Sequence, residues 1–150
     1  MTTLLLAALP ILGYHLDISR CKVPTMDTLY RQVDIIASLG YNHLELYTEH
    51  TFAYPGHEMV WREASPMTSD EIRQLDAYCA KKGIELVPNQ NSFGHLEQWL
   101  KHPGYNELAE IPEGGAHINR WGGYVTGRPS ALCPTDPRSI SFLAGLYDEL

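Results

Sequence analysis

The sequence has few cysteines, and no two of them are close together. Cys21, Cys79 and Cys133 are odd in number and form no C-x-x-C pair. This pattern excludes the disulfide framework of small secreted domains and the paired cysteines of a zinc knuckle. Free thiols in a reducing compartment are the simplest interpretation, so we expect a cytoplasmic location.

Basic residues and long apolar runs are also scarce. The chain has 11 Lys and Arg against 18 Asp and Glu, which gives a formal net charge of −7 at pH 7. Phosphate-rich partners require a basic surface, so we expect neither nucleic acid nor a membrane as a partner. The apolar run at 4–12 is too short to span a bilayer and follows no basic residue. We interpret it as a lead-in to the first strand, with a signal peptide as the alternative.

The sequence does contain short apolar segments that alternate with helical patterns. Three of these segments predict strands: 13–18, 43–48 and 84–88. Apolar spacing predicts a helix at about 26–39, capped by Thr25, and a second helix after the capping-box sequence TSDE at 68–71. A third helix is predicted to begin at Pro137 after the capping Asp136.

This alternation predicts an α/β fold with parallel strands. About three β/α units are visible, whereas a complete (β/α)8 barrel has eight units and about 250 residues. We therefore expect the N-terminal portion of a TIM barrel in an incomplete form, with 1–12 as an uncertain lead-in and 13–150 as the first β/α units. A small open sheet is the alternative, but its third strand would leave an exposed pairing edge.

Polar residues gather where the predicted strands end, which is where β/α folds place their sites. The candidate binding residues fall after the three strands in pairs: Asp17 and Arg20, Glu49 and His50, and Asn91 and His95. Asp17 and Arg20 either form an ion pair that fixes the first loop or contact a sugar. His15, inside the first strand, is predicted to be a packed core histidine, and Glu45 is assigned no role.

Aromatic residues are frequent in the same connections. They are Tyr47, Phe52, Tyr54, Trp61, Phe93, Trp99, Trp121 and Tyr124. Some must form a loop core. Flat aromatic faces beside amides and carboxylates also suit a pyranose ring, which has a C–H-rich face and a rim of hydroxyl groups.

Three ordered motifs carry a family resemblance: GYHLDISR at 13–20, GYNHLELYTEH at 40–50 followed by FAYPG at 52–56, and LVPNQNSFGH at 86–95. They resemble the first three strands of glycoside hydrolase family 20, most closely the hexosaminidase D-like branch of the β-N-acetylhexosaminidases. The resemblance implies a (β/α)8 barrel that removes terminal, non-reducing N-acetylhexosamine residues with retention. It implies a carbohydrate partner and neither a cofactor nor a metal.

In that family the acetamido oxygen of the substrate attacks the anomeric carbon, so no side chain is the nucleophile. An Asp-Glu pair after the fourth strand orients the acetamido group and protonates the leaving oxygen. By the resemblance this pair lies beyond the chain, which therefore holds no catalytic residue and is expected to be inactive alone. His95 matches the histidine of strand three, which tunes the acid or lines the −1 subsite. Asp17, Glu49 and Asn91 match polar strand-end positions.

One position departs from the family pattern. The family usually has an arginine five residues before the first-strand aspartate, where this sequence has Leu12. Either residues 1–12 replace the true upstream sequence, which we favour, or hydroxyl binding has moved to a residue such as Arg20. Two other functions stay open: a metal-dependent sugar isomerase or epimerase, and a non-catalytic carbohydrate-binding protein.

Overall fold

A computed structural model of the chain describes residues 10–20, 22–118 and 121–150. Its centre is a parallel sheet in the order β1-β2-β3. The strands are β1 (Gly13–Asp17), β2 (His43–Tyr47) and β3 (Glu85–Asn89). Each predicted strand agrees with the observed one to within a residue at either end. Most of the segment 1–12, interpreted as a lead-in with a signal peptide as the alternative, lies outside the described residues.

The helices that follow the strands begin where the sequence indicates. They are α1 (Met26–Ser38), α3 (Ser69–Lys81) and α5 (Pro137–Asp148). The Thr25 side chain accepts a hydrogen bond from Thr28 N, and Thr68 and Glu71 form the predicted capping box. Each cap is worth about 1 kcal/mol. Gly40, at φ 84°, then lets the chain leave α1 in a left-handed conformation that favours glycine.

The two long strand-to-helix connections contain structure that the sequence did not predict. They hold the short helices α2 (Glu58–Trp61) and α4 (Glu97–Leu100), a 3₁₀ turn (Asn106–Leu108) and an antiparallel hairpin. The hairpin strands are β4 (Ala116–Ile118) and β5 (Tyr124–Thr126). Within the described ranges, no helix has the length and apolarity needed to cross a membrane.

One face of the parallel sheet is covered by α1 and α3, and we call it the covered face. Leu44 and Leu46 of β2 are buried there against Leu29 and Val33 of α1 and Leu75 of α3. Tyr14, Leu16 and Leu86, which share the same alternation along their strands, pack at its margin. Apolar burial on this face holds the three β/α units together.

The opposite face of the sheet is polar, and we call it the bare face. It carries His15, Asp17, Glu45, Tyr47 and Asn89, which alternate with the covered residues along each strand. The expectation that His15 is a packed core histidine is wrong, because its side chain is 49% exposed and lies 2.9 Å from Glu45. Parallel sheets are normally apolar on both faces, so polar residues here point to a role other than packing.

A second core lies in the connections, and we call it the loop core. Phe52 and Tyr54 follow β2, Trp99 lies on α4, and Leu143 and Leu146 lie on α5, and all five are buried. The ring centroids of Tyr54 and Trp99 are 5.5 Å apart in an edge-on arrangement. Several of the loop aromatics therefore serve packing, and this core fixes the position of the segments that follow the strands.

Candidate functional site

The first residue of the site, Asp17, ends β1 and is held by the turn that follows. Its Oδ1 accepts hydrogen bonds from Ser19 N at 2.8 Å and Ser19 Oγ at 2.7 Å, and its Oδ2 accepts one from Arg20 Nε at 3.0 Å. Burial by itself would raise the pKa of Asp17, but the Ser19 hydrogen bonds and the Arg20 charge outweigh it and lower that pKa. Asp17 is therefore an ionised, oriented carboxylate.

Arg20 joins the ends of β1 and β2. Besides Asp17, its guanidinium contacts Glu49, with 3.0 Å between Nη2 and Oε1, and it lies 5.7 Å from the centre of the Tyr47 ring. The ion pair between Asp17 and Arg20 that the sequence left as one alternative is thus present. About half of the Arg20 side chain stays exposed, so the pair does not prevent Arg20 from meeting a ligand.

Glu49 is the buried acid of the site. Its residue surface is 4% exposed, and its backbone has a φ of 49°, in the left-handed region that a residue with a side chain seldom adopts. Burial raises the pKa of Glu49, against the opposing effects of the Tyr47 hydrogen bond and the Arg20 charge. A strained, buried carboxylate at a strand end is typical of functional positions.

Tyr47 links Glu49 to the end of β3. Its hydroxyl donates a hydrogen bond to Glu49 Oε1 at 2.9 Å and accepts one from Asn91 Nδ2 at 2.6 Å. The other polar atom of that amide, Asn91 Oδ1, is buried and has no hydrogen-bond partner among the described residues. A buried acceptor without a partner is costly, so the hydrogen bond to Tyr47 holds this amide in place at a local cost in stability.

His95 lies at the rim of the site. Its Nδ1 is 3.9 Å from Glu49 Oε1, and its side chain is 62% exposed. Like Glu49 it has a positive φ, here 59°. We call Asp17, Arg20, Tyr47, Glu49 and Asn91 the strand-end cluster, with His95 at its edge.

His50 is the one predicted site residue that does not join the cluster. It borders a neighbouring cavity of about 360 Å³, which is also lined by Arg20 and Glu63. Its Nδ1 is buried without a hydrogen-bond partner among the described residues. Burial lowers the pKa of His50, and the charges of Lys101 and Arg20 lower it further, so the ring is neutral near pH 7.

The sequence reasoning missed three residues on the bare face. Tyr47 was counted as a loop aromatic, His15 as core, and Asn89 was not selected. Glu45 binds two of them, through His15 Nδ1 at 2.9 Å and Asn89 Nδ2 at 2.7 Å. The alternation of side chains along the strands could have indicated these residues, because it places all three on the same face of the sheet as Asp17.

The arrangement offers fixed hydrogen-bond donors and acceptors on a scaffold of regular strands. Carboxylates, an amide and a guanidinium recognise hydroxyl and amide groups in a neutral ligand. In the described part of the chain, no three His, Cys, Asp or Glu side chains come together in a way that could hold a metal ion.

The fold is that of β/α proteins with a parallel sheet, in which sites are usually placed at the carboxyl ends of the strands. Comparisons with known proteins narrow the class. Over 94% of its length the chain is 26% identical to a β-hexosaminidase of Akkermansia muciniphila. Over 91% of its length it is 24% identical to hexosaminidase D of Bos taurus. No family model matches.

Solved structures give the same result. A crystal structure of a β-N-acetylhexosaminidase matches 92% of the chain, with 25% identity, a TM-score of 0.70 and 32% of that structure covered. The chitobiase of Flavobacterium johnsoniae also matches 92%, with 23% identity, a TM-score of 0.71 and 21% covered. The resemblance to the hexosaminidases of glycoside hydrolase family 20 is therefore confirmed. The chain spans 31% of the Akkermansia protein and 35% of the bovine one.

Proposed function

We propose that the chain forms the first three β/α units of a (β/α)8 barrel whose whole polypeptide hydrolyses terminal non-reducing N-acetyl-β-hexosaminides. The observation that carries the proposal is the strand-end cluster, in which Arg20, Glu49 and Asn91 from three successive strand ends meet. The names of the relatives, all hexosaminidases, support it.

In this proposal the chain contributes binding and positioning groups. Glu49, Tyr47 and Arg20 hold one another in place, so that the exposed side of the Arg20 guanidinium faces the sugar already oriented. Preoriented donors and acceptors lower the entropy cost of binding. His95, at the rim, lies where the family resemblance places a residue beside the acid, and its contact with Glu49 biases the orientation of its ring.

The bond-breaking groups come from the substrate and from the rest of the polypeptide. The acetamido oxygen of the substrate attacks the anomeric carbon, the leaving oxygen takes the proton of a carboxylic acid, and water then opens the cyclic intermediate with net retention. By the family resemblance, that acid and the aspartate that orients the acetamido group follow the fourth strand. The 150-residue chain alone is expected to bind sugar without turnover.

The test uses the full polypeptide that carries this chain and an aryl N-acetyl-β-glucosaminide. We expect release of the aryl alcohol, retention at the anomeric carbon by NMR, and rates unchanged after treatment with a chelator. The isomerase alternative predicts no release and loss of sugar interconversion with chelator. A purely carbohydrate-binding protein would bind N-acetylglucosamine and release nothing. Either of the last two results would overturn the proposal.

A further inference from the structure

A buried polar contact joins the ends of β2 and β3 behind the strand-end cluster. Thr48 follows β2 and Gln90 follows β3, and these residues are 2% and 5% exposed. Thr48 Oγ1 donates to Gln90 Oε1 at 3.2 Å. The same hydroxyl lies 3.4 Å from Asn89 O, so it bonds to the end of β3 in either orientation.

The loop core and α5 hold Gln90 from two further directions. Tyr54 Oη donates to Gln90 Oε1 at 2.7 Å, and Tyr147 Oη donates to Gln90 O at 3.0 Å. Burial raises the pKa of Tyr54, so its hydroxyl keeps the proton that it donates. Gln90 is therefore fixed through both its side chain and its backbone.

Thr48 is bonded just as completely, and it directly precedes Glu49. Thr48 N donates to Asn89 O at 3.1 Å, and Thr48 O accepts hydrogen bonds from Thr51 N at 2.8 Å and from Thr51 Oγ1 at 2.7 Å. Glu49 itself has a φ of 49°. A left-handed backbone at a residue with a side chain persists only where surrounding contacts impose it. The bonds of Thr48 are contacts of that kind.

The left-handed backbone sets the direction of the Glu49 side chain. In this conformation the carboxylate lies 3.0 Å from Arg20 Nη2 and accepts a hydrogen bond from Tyr47 Oη at 2.9 Å. A turn that relaxed to the right-handed region would point the side chain elsewhere and break both contacts. The buried contact between Thr48 and Gln90 thus bears on the geometry of the site.

Packing by itself does not require polar groups at these positions. Replacing both partners of a buried hydrogen bond by apolar groups of the same shape can be nearly neutral for stability. The positions of Thr48, Tyr54 and Gln90 could therefore be apolar without loss of the fold. A polar contact at this place is better explained by the orientation that it imposes on the turn.

We propose that Thr48 and Gln90 are positioning residues, whose side-chain contact locks the turn that directs the Glu49 carboxylate toward Arg20. The inference rests on the proposed function, since it assigns an effect on sugar cleavage to two buried residues outside the strand-end cluster. Neither residue touches the substrate, and both act through Glu49.

The first test compares two substitutions of Thr48 in the full polypeptide. Thr48→Val removes the hydroxyl group and should lower kcat/KM for an aryl N-acetyl-β-glucosaminide at least about fivefold, whereas Thr48→Ser keeps the hydroxyl and should stay within about twofold of wild type. Tyr78→Phe is the control, because it removes a hydroxyl bonded to Asp34 between α1 and α3, and it should leave kcat/KM unchanged. Equal kcat/KM values for Thr48→Val and Thr48→Ser would overturn the lock.

The second test separates positioning from stability. The triple variant Thr48→Val, Tyr54→Phe, Gln90→Met makes the whole contact apolar, so no buried group of these three side chains is left unpaired. We expect its melting temperature to be closer to wild type than that of Gln90→Met alone, while its kcat/KM stays at least about fivefold below wild type. A triple variant that recovers kcat/KM together with stability would show that the contact serves packing only.

A third measurement distinguishes failure of the lock from failure of the proposed function. If the wild-type polypeptide does not cleave the aryl glycoside, the proposed function fails, and titration of Glu49 by ¹³C NMR, assigned with Glu49→Gln, decides the lock. Burial raises the pKa of Glu49, so a released turn in Thr48→Val should lower this pKa toward the ordinary value of glutamate. Thr48→Ser should keep the pKa raised. An unchanged pKa in Thr48→Val would contradict the lock.

Discussion

The two faces of the parallel sheet differ in polarity, although residues of the two faces alternate along the same strands. On the covered face, Leu44 and Leu46 are buried under α1 and α3. On the bare face, the neighbouring positions Glu45 and Tyr47 make hydrogen bonds to other polar side chains. Apolar burial on one face fixes where the strands lie, and the strands then hold polar groups on the other face in register. Stability and binding are therefore expected to depend on different residues only one position apart.

The largest expected change in the free energy of unfolding comes from a substitution on the covered face. Leu44→Ala removes a fully buried side chain and should lower the free energy of unfolding by about 2–5 kcal/mol. Its neighbour Glu45→Gln should change that free energy by less than about 1 kcal/mol, because the pairs of Glu45 are partly exposed. Denaturant unfolding of the full polypeptide measures both. Similar losses in the two variants would remove the distinction between the faces.

The next effect concerns the ion pair between Arg20 and Glu49. Arg20→Gln leaves the buried Glu49 carboxylate without its cationic partner and should cost about 1–3 kcal/mol of unfolding free energy. Glu49→Gln in that background should recover part of the loss, with a coupling energy of about 0.5–3 kcal/mol in the double-mutant cycle. Strictly additive losses would mean that the 3.0 Å contact between these residues does not stabilise the site.

Two tyrosines, one on each face, allow the faces to be compared by removing a single hydroxyl group from each. Tyr14 accepts a hydrogen bond from Gln32 on the covered side, and Tyr47 bridges Glu49 and Asn91 on the bare side. Tyr14→Phe and Tyr47→Phe should each cost about 1 kcal/mol of stability. Only Tyr47→Phe should also lower kcat/KM for the aryl glycoside, by at least about fivefold, because it frees Asn91. Equal kinetic effects would show that Tyr47 is merely structural.

The smallest effect is a difference in pH dependence between two carboxylates. Burial raises the pKa of Glu49, so the folded protein holds this proton to higher pH than the unfolded chain does. Stability contributed by Glu49 is then present at low pH and is lost as pH rises through the raised pKa. Asp17 behaves in the opposite way, because its pKa is lowered. Its contribution to stability is present at pH values above the ordinary pKa of aspartate and is lost as the pH falls through the lowered pKa.

Unfolding free energies measured against pH test these signs. In the window just above the ordinary pKa of glutamate, Glu49→Gln should lack a decline that the wild type shows. Below the ordinary pKa of aspartate, Asp17→Asn should lack a rise with pH. Parallel curves for wild type and both variants would show that neither carboxylate has a shifted pKa.

The sheet and its helices could be predicted because their signals are local. Caps such as Thr25 and Thr68 act within one helical turn, and the apolar spacing of each helix repeats several times. The hairpin could not be predicted, because β4 and β5 have three residues each, too few to show an alternation. The loop core joins residues such as Tyr54 and Leu143 that are distant in sequence, and no local sequence pattern indicates such contacts.

The candidate site was predicted in part for the same reason. Parallel strands bring their carboxyl ends to one edge, so the meeting of Asp17, Glu49 and Asn91 followed from strand positions alone. The direction of His50, into a separate cavity, depends on the left-handed backbone at Glu49 just before it. Tyr47 was missed because its partners come from two strands, although its register with Asp17 already placed it on the bare face.

We propose that the strand ends of this chain bind the terminal sugar of a hexosaminidase substrate. The most direct test is His95→Ala in the full polypeptide, because His95 is exposed at the rim and its loss should hardly affect folding. We predict that kcat/KM for an aryl N-acetyl-β-glucosaminide falls at least about tenfold, equivalent to about 1.4 kcal/mol of transition-state stabilisation, with an unchanged melting temperature. A kcat/KM within about threefold of the wild-type value would contradict a role of the strand ends in sugar binding.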